Sequence, residues 1–551
     1  VIRRYVMSLK EVFYFIKPYI KQKKKYLLMF LIFSLVISLL QAVPVEVTKR
    51  IFDVGFAEKK YKYILFLSLI LVVVYLFKSL ISYFLSKKIS IFGQNIIKQI
   101  RKEYFRYVIN SDYGFYTERD SVYINERLNE INNISGIFSS GMWDIVVSII
   151  QSILVLIILI KINYVLLLIM IMPIPAIYIF SKIYVSKILN STNSFLEQYS
   201  INKTKMNEKI TAIELIKLSG TEEEEAYNMK SFDDEMFDSQ LKFTLLTRKF
   251  IETVSVYVSL IPVILYCIGG KFFIDGSITV GGIIVFSTYI GKVYAPFINI
   301  ATLSMNLATI KTSITRLNNF FGKEHCENNL TKSYFLKQKV DNICFKNVYF
   351  KYGATEDFVI DGLNFELKGQ GVYQISGENG SGKTTIVKLL CGLLDKYDGE
   401  ILYNGRSIRN MSSANIRNIV SVMSQNVFLF DDTLENNILY GNKEIDENKY
   451  TEICSLLKIN EIYLSRGMTK DMTVGSMGNK LSGGEKQKIA LARTMMKNTD
   501  VIIFDEAISN IDSETKKLIK EVICNELNDK MIIIIDHSDY FLEIIKRTIK
   551  I

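Results

Sequence analysis

Apolar positions fall into two regimes along this chain. Up to about residue 310 they run in long unbroken stretches, and after Val340 they come in short bursts. The first long run, Tyr26 to Val47, is 22 residues, about 33 Å as a helix, which is enough to cross a bilayer. Arg3, Arg4, Lys10, Lys17, Lys21, Lys23, Lys24 and Lys25 precede it. The run is too long for the apolar part of a cleavable signal peptide, and Pro44 is expected to kink it. Similar runs predict six spans, at 26–47, 63–84, 142–160, 164–180, 254–273 and 280–300. Lys161-Ile162-Asn163 and Ile274-Asp275-Gly276-Ser277 read as short turns between spans.

Residues 85–140 and 181–250 are polar and amphipathic at helical spacing, nearly free of proline and glycine. They predict long helical arms reaching beyond the membrane. Six spans put both chain ends on one side, and the lysine-rich start places that side in the cytoplasm. The outer loop with Lys49, Arg50, Lys59, Lys60 and Lys62 is also basic, so charge alone does not decide; a nucleotide motif farther along does. The expected division is a transmembrane domain over 1–310, a connector over 311–337 and a second domain over 338–551. In that last part short strands alternate with helices, an α/β pattern, and all six prolines lie at or before Pro296.

At 551 residues two or more domains are expected. The 49% hydrophobic content is concentrated in the first part, and mean hydropathy is +0.20. A net charge of +11 admits nucleic-acid binding, but the charges scatter and no basic-aromatic motif stands out. Lysine and arginine flanking membrane spans explain them, and no nucleic-acid partner is expected. None of the six cysteines forms a C-x-x-C, and all but Cys267 lie in the expected cytoplasmic part, so reduced thiols are expected. With two histidines, His325 and His537, a histidine-rich metal site is excluded.

The stretch Gly377-Glu378-Asn379-Gly380-Ser381-Gly382-Lys383-Thr384-Thr385 fits G-x-x-x-x-G-K-[ST]. An apolar run, Val372 to Ile375, precedes it and a helical pattern follows, the context this phosphate loop needs. Gly377, Gly380 and Gly382 let backbone N–H groups of the loop, with those of Asn379 and Ser381, turn around a phosphate at a helix N-terminus. Lys383 is expected at the β- and γ-phosphates, and Thr384, beside Thr385, on Mg²⁺. About 120 residues later Ile502-Ile503-Phe504-Asp505-Glu506 ends a strand in two carboxylates. Asp505 is expected in the Mg²⁺ shell, and Glu506 as the base that polarises the attacking water. Leu481-Ser482-Gly483-Gly484-Glu485-Lys486-Gln487 leads into a helix over Lys488–Met496, which Ser482 can cap.

That last motif makes the chain resemble the ATP-binding cassette (ABC) family. The resemblance implies further roles: Tyr352 stacking on adenine, Gln425 contacting Mg²⁺ and the membrane domain, Asp512 in the D-loop, and His537 as the switch histidine at the γ-phosphate. Six spans ahead of one cassette resemble an exporter half-transporter over essentially the whole chain. The implied fold is an all-α transmembrane domain with long cytoplasmic helical extensions, followed by an α/β P-loop nucleotide-binding domain. The implied assembly is a dimer with a second half-transporter, an identical chain, in the lipid of a bacterial plasma membrane, with the cassette in the cytoplasm. Each ATP then lies between one chain's Lys383 and the other's Ser482, Gly483, Gly484 and Glu485. Stretches near Ser111–Arg119 and Leu215–Glu223 resemble coupling helices.

Several positions depart from the family pattern. Ser476 stands where glutamate is usual, Lys488 and Ser538 where arginine is common, and Val427 where proline is. The final strands after His537 are expected to be short or absent. The expected activity is ATP hydrolysis driving export by alternating access. A peptide is the first expectation for the exported substrate, and amphipathic drugs or a lipid the next; an ATP-gated sensor or immunity protein is the alternative of another class. Asp144 either faces a cavity or lies solvated near the inner interface.

Overall fold

The computed structural model describes residues 2–21, 23–117, 119, 121–138, 140–321, 338–352, 357–378, 380–442, 445–467, 469, 471–506, 513–536 and 539–551. Two compact units emerge: Val1–Ile109 with Arg119–Glu324, and Asn110–Glu118 with His325–Ile551.

The first unit is helical. Its main elements are α1 (Ile2–Lys21), α2 (Lys24–Arg50), α3 (Tyr61–Ile109), α4 (Ser140–Ile162), α5 (Tyr164–Ile171), α6 (Ile174–Thr211), α7 (Glu222–Ile274) and α8 (Val280–Phe320). α3 and α7, at 49 and 53 residues, are about 74 and 80 Å long at 1.5 Å per residue. That is more than twice the thickness of a bilayer's apolar core, so span and arm are one continuous helix. Only 6% of the most apolar window of α3 is buried. Leu65, Phe66, Leu69, Val72, Val73 and Leu76 are all exposed there, a surface that suits lipid and not water.

Four described stretches are long and apolar enough to cross a membrane: Lys24–Phe56, Tyr61–Ile109, Tyr123–Ile162 and Glu222–Ile274. The expected span over 164–180 differs. Its helix stops at Ile171 and restarts at Ile174, leaving Tyr164–Ile177 as a shorter apolar segment. Pro173 and Pro175 are the reason, since each lacks the N–H that would continue the ladder. The expected 280–300 span lies within α8, which runs on to Phe320 and so takes in the start of the expected connector. The rest of that connector, from residue 322, lies outside the described residues.

Hydroxyls repair the helix breaks. Pro296 cannot donate to the Lys292 carbonyl one turn back; Ser152 of α4 donates to it instead at 2.8 Å. The Tyr294 hydroxyl donates to the Met170 carbonyl, just before the Met172–Pro173 break. In an apolar medium such carbonyls need a partner from within the protein. Ser152→Ala is therefore expected to destabilise the helical unit by about 0.6–1.7 kcal/mol, measured as a shift in a detergent unfolding equilibrium. Asn163 starts α5 by accepting from Val165 N and Leu166 N, both at 3.0 Å. At the far end of α2 a π-helical turn, Ile51–Phe56, carries Asp53. Its carboxylate accepts from Thr279 Oγ1 at 2.8 Å and Gly281 N at 2.9 Å, which ties this turn to the start of α8.

The second unit holds two sheets. β1 (Asn342–Phe350), β2 (Ile360–Lys368), β4 (Asp398–Tyr403) and β5 (Arg406–Ser407) form an antiparallel sheet in the order β2-β1-β4-β5. β3 (Gly371–Ser376), β6 (Val420–Ser424), β7 (Val501–Asp505), β8 (Met531–Ile535) and β9 (Ile545–Lys550) form a parallel sheet in the order β6-β7-β8-β3-β9. The β7 and β8 strands are buried along their whole length, as expected for a parallel sheet covered on both faces. The final strand, expected to be short or absent, is the six-residue β9. It pairs with β3 from Val372↔Ile545 to Ser376↔Lys550; Ile549 is buried while Lys546, Arg547, Thr548 and Lys550 are exposed, as suits a sheet edge. Residues 110–118 belong to this unit; Tyr113 packs on its core, with Lys388 Nζ 5.4 Å from the ring centre.

Candidate nucleotide site

Sheet register brings the separated motifs to one level. Ser424 pairs with Asp505, Asp505 with Ile535, and Ile375 with Ile535. The residues that follow these strand ends, Gln425, Glu506, Asp536 and Gly377, therefore emerge along one carboxyl edge of the parallel sheet. In open α/β sheets that edge is where ligands bind.

From β3 the chain enters the glycine loop and then α9 (Lys383–Leu390). Gly382 caps α9 in the left-handed region at φ 90°; a side chain there would also meet the Val359 carbonyl at 2.9 Å. At Gly377 a Cβ would sit 2.6 Å from Ser381 Oγ and 2.7 Å from the Ile551 carbonyl. Both positions therefore require glycine. Lys383 is 6% exposed, and its ammonium donates to the carbonyls of Gly377 and Glu378, both at 2.9 Å. A buried cation is thus held against the loop that would cradle phosphate. Thr384 is exposed at the helix start and Thr385 is buried. The Ser381 hydroxyl oxygen is buried with no partner among the described residues. Tyr352 follows β1; its hydroxyl is 3.2 Å from Thr385 Oγ1, and its ring meets Phe350 edge-on at 4.8 Å.

The two carboxylates at the end of β7 differ. Asp505 is buried, and one of its oxygens, Oδ1, has no hydrogen-bond partner among the described residues. Burial, and then the charge of Glu506, push its carboxyl up to about 6. An orphaned buried carboxylate oxygen at the end of β7 is a donor that a hard divalent cation takes. Glu506 has φ 50°, a left-handed backbone uncommon outside glycine and asparagine. Its N–H donates to the Ile535 carbonyl at 2.9 Å. Its carboxylate accepts from Gln425 Nε2 at 2.8 Å, so the two residues that the sequence placed 81 positions apart meet directly.

The Leu481–Gln487 motif starts α10 (Gly483–Met496) five residues earlier than the apolar pattern predicts. A capping box is the reason: Ser482 Oγ accepts from Glu485 N at 3.3 Å, and Glu485 Oε2 accepts from Ser482 N at 2.6 Å. Ser482 and Gly483 are exposed, with Gly484 and Glu485 half-buried, so this positive helix end is open to an anion from outside. Asn379, Asp512 and His537 lie outside the described residues, as does Ser538.

Sequence reasoning missed Arg493. This residue of α10 donates to the Phe428 carbonyl at 3.0 Å and the Asn437 carbonyl at 2.8 Å. It ties the motif helix to the segment following Gln425. A lone arginine in a helix's last turns carries no sequence signal of such a role. Among the described residues all five cysteines are free thiols.

Long apolar helices and a phosphate-loop α/β unit on one chain define a nucleotide-driven membrane protein. Two family models match, "ABC transporter transmembrane region" over residues 26–297 and "ABC transporter" over 360–509. The chain belongs to the ABC transporter family and is of its exporter type. It is a multi-pass membrane protein whose cytoplasmic cassette binds and hydrolyses ATP. Among curated proteins it is 25% identical to the multidrug resistance-like ATP-binding protein MdlA of Buchnera aphidicola, covering 91% of this chain and 86% of that protein. It is 24% identical to an ATP-dependent lipid A-core flippase of Syntrophus aciditrophicus, covering 89% and 81%. It is 26% identical to the lactococcin-G-processing and transport protein LagD of Lactococcus lactis, covering 86% and 67%. A solved bacterial Atm1-family ABC exporter with ATP bound shares the fold, with a TM-score of 0.78 at 20% identity over 94% of this chain and 91% of that one.

Proposed function

We propose that this chain is one half of a homodimeric exporter that moves amphipathic, drug-like or lipid molecules across the membrane. The observation that carries the reading is the common carboxyl edge where the phosphate loop, Gln425 and Glu506 meet. It sits on a chain whose long apolar helices continue into polar arms. Residues 1–310 with six spans form the transmembrane domain and 338–551 the cassette.

In this reading Tyr352 stacks on adenine, and the 377–385 loop with Lys383 holds the phosphates. The exposed start of α10 in a second chain completes the site through Ser482, Gly483, Gly484 and Glu485. Asp512 and His537 take the roles their motifs imply. Glu506 polarises the attacking water, and Gln425 holds its carboxylate in position. Thr384, Gln425 and Asp505 hold Mg²⁺, which supplies charge neutralisation on the phosphates. Because Asp505 binds the ion only as a carboxylate, its raised pKa sets a pH dependence. As pH falls from 7.5 through about 6, protons compete, and the Mg²⁺ concentration for half-maximal ATP binding should rise. Titrating Mg²⁺ at several pH values measures this; Asp505→Asn should remove the trend.

The peptide expectation gives way to a drug-like or lipid substrate. One of the relatives is named for a bacteriocin, while others are named for multidrug resistance and a lipid. Inside-out proteoliposomes are expected to accumulate a lipophilic dye or translocate a lipid only with MgATP. Ligand-stimulated ATPase without any accumulation would sink the exporter reading in favour of a sensor.

A further inference from the structure

The apolar strand that enters the phosphate loop contains one buried amide. Gln374 is 6% exposed and sits between Tyr373 and Ile375 within β3. An apolar side chain of the same size would fill this place without needing partners. An amide in a core costs stability unless both of its ends are paired, and here both are. Thr548 Oγ1 of β9 donates to Gln374 Oε1 at 3.1 Å. Gln374 Nε2 donates to the Asp536 carbonyl at 3.4 Å. The two contacts fit one orientation of the amide, oxygen to β9 and nitrogen to the end of β8.

Sheet register explains the reach. Gln374 pairs with Ile534, and the last β3–β8 pair is Ile375↔Ile535. Asp536, itself buried, therefore lies just past the ladder and on the same face as Ile534. The carbonyl before it is held as well, since Ile535 accepts from Glu506 N–H at 2.9 Å. β8 lies between β7 and β3. Its exit is thus held from two sides, by Glu506 at the end of β7 and by Gln374 of β3. The bend at Glu506, φ 50°, is of the kind that persists only where its surroundings over-determine it. The Ile535 carbonyl is one anchor for that bend. Each peptide is planar, so holding the Asp536 carbonyl restrains the peptide next to that anchor and keeps the Ile535 carbonyl facing Glu506.

We propose that Gln374 is a positioning residue for ATP hydrolysis. It locks the exit of β8, which holds the backbone bend from which the Glu506 carboxylate meets Gln425 Nε2 at 2.8 Å. Thr548 aims the amide, so β9 takes part in setting the geometry of a site two strands away. The proposal rests on the reading of Glu506 as the base.

The test is steady-state ATPase kinetics on the full-length chain in proteoliposomes. Gln374→Met keeps the volume and removes the amide. It should lower kcat by about 10–10²-fold, the cost of a misplaced catalytic group, while KM for ATP stays within about twofold. Thr548→Val should show a smaller fall of the same kind. In the Glu506→Gln background, residual hydrolysis is read in single turnovers with radiolabelled ATP. There Gln374→Met should cost no more than about twofold further, because residues that act as a unit are not additive. Should Gln374→Met fail to fold, Thr548→Val on the exposed edge must still lower kcat at unchanged KM and lose that effect in the Glu506→Gln background. An unchanged kcat, a loss confined to KM, or the same fold-loss with and without the Glu506 carboxylate overturns the proposal. So does a loss that disappears in a His537→Ala background but not in the Glu506→Gln one, since Gln374 then serves a different residue. If Glu506→Gln by itself leaves turnover unchanged, the reading of the base falls and the proposal with it.

Discussion

Glu506→Gln is expected to lower ATP turnover by about 10²–10⁴-fold, the range a general base contributes, while ATP binding is retained. The substitution is nearly isosteric, and its amide oxygen still accepts from Gln425, now 2.8 Å from the carboxylate. What it removes is the charge that draws a proton from the attacking water. The backbone of Glu506, at φ 50° and anchored to Ile535, stays as it is. Turnover measured beside binding of a fluorescent ATP analogue separates the two effects. Unchanged turnover would show that another group is the base.

Lys383→Ala should act on the other half of the measurement. Hydrogen bonds to charged groups contribute about 1.5–3 kcal/mol each, so losing the lysine's phosphate contacts should raise the ATP Kd by about 10²-fold or more. The loop itself should loosen, because the Gly377 and Glu378 carbonyls lose the donor that now joins them at 2.9 Å. Lys383→Arg should not rescue binding, since a side chain 6% exposed leaves no room for a planar fork. A Kd within threefold of the parent would refute the assignment.

Much of this was legible because the signals are local. A glycine loop between an apolar strand and a helix states its own geometry, and so do two carboxylates at a strand end. The apolar run Val372 to Ile375 is the middle of β3, Gly371–Ser376. Signals that depend on tertiary partners were not legible. Nothing in the neighbourhood of Arg493 announces that it braces the segment after Gln425. The Gln425–Glu506 contact follows from sheet order, which no short motif encodes. Apolar length also says nothing of helix continuity: the run at 164–180 reads as one span, and Pro173 and Pro175 divide its helix. β9 is faint in the sequence because Lys546, Arg547 and Lys550 break up its apolar positions.

The hydroxyl that serves the Lys292 carbonyl has a consequence for how these positions change over time. Ser152 is needed because Pro296 withholds an N–H. If Pro296 first becomes alanine, the helix regains its own donor, and Ser152 can then drift to alanine at little cost. In the opposite order, the intermediate carries an unsatisfied carbonyl within lipid. The two sites are thus coupled through one oxygen atom, and the chain's history at 152 and 296 has a preferred direction.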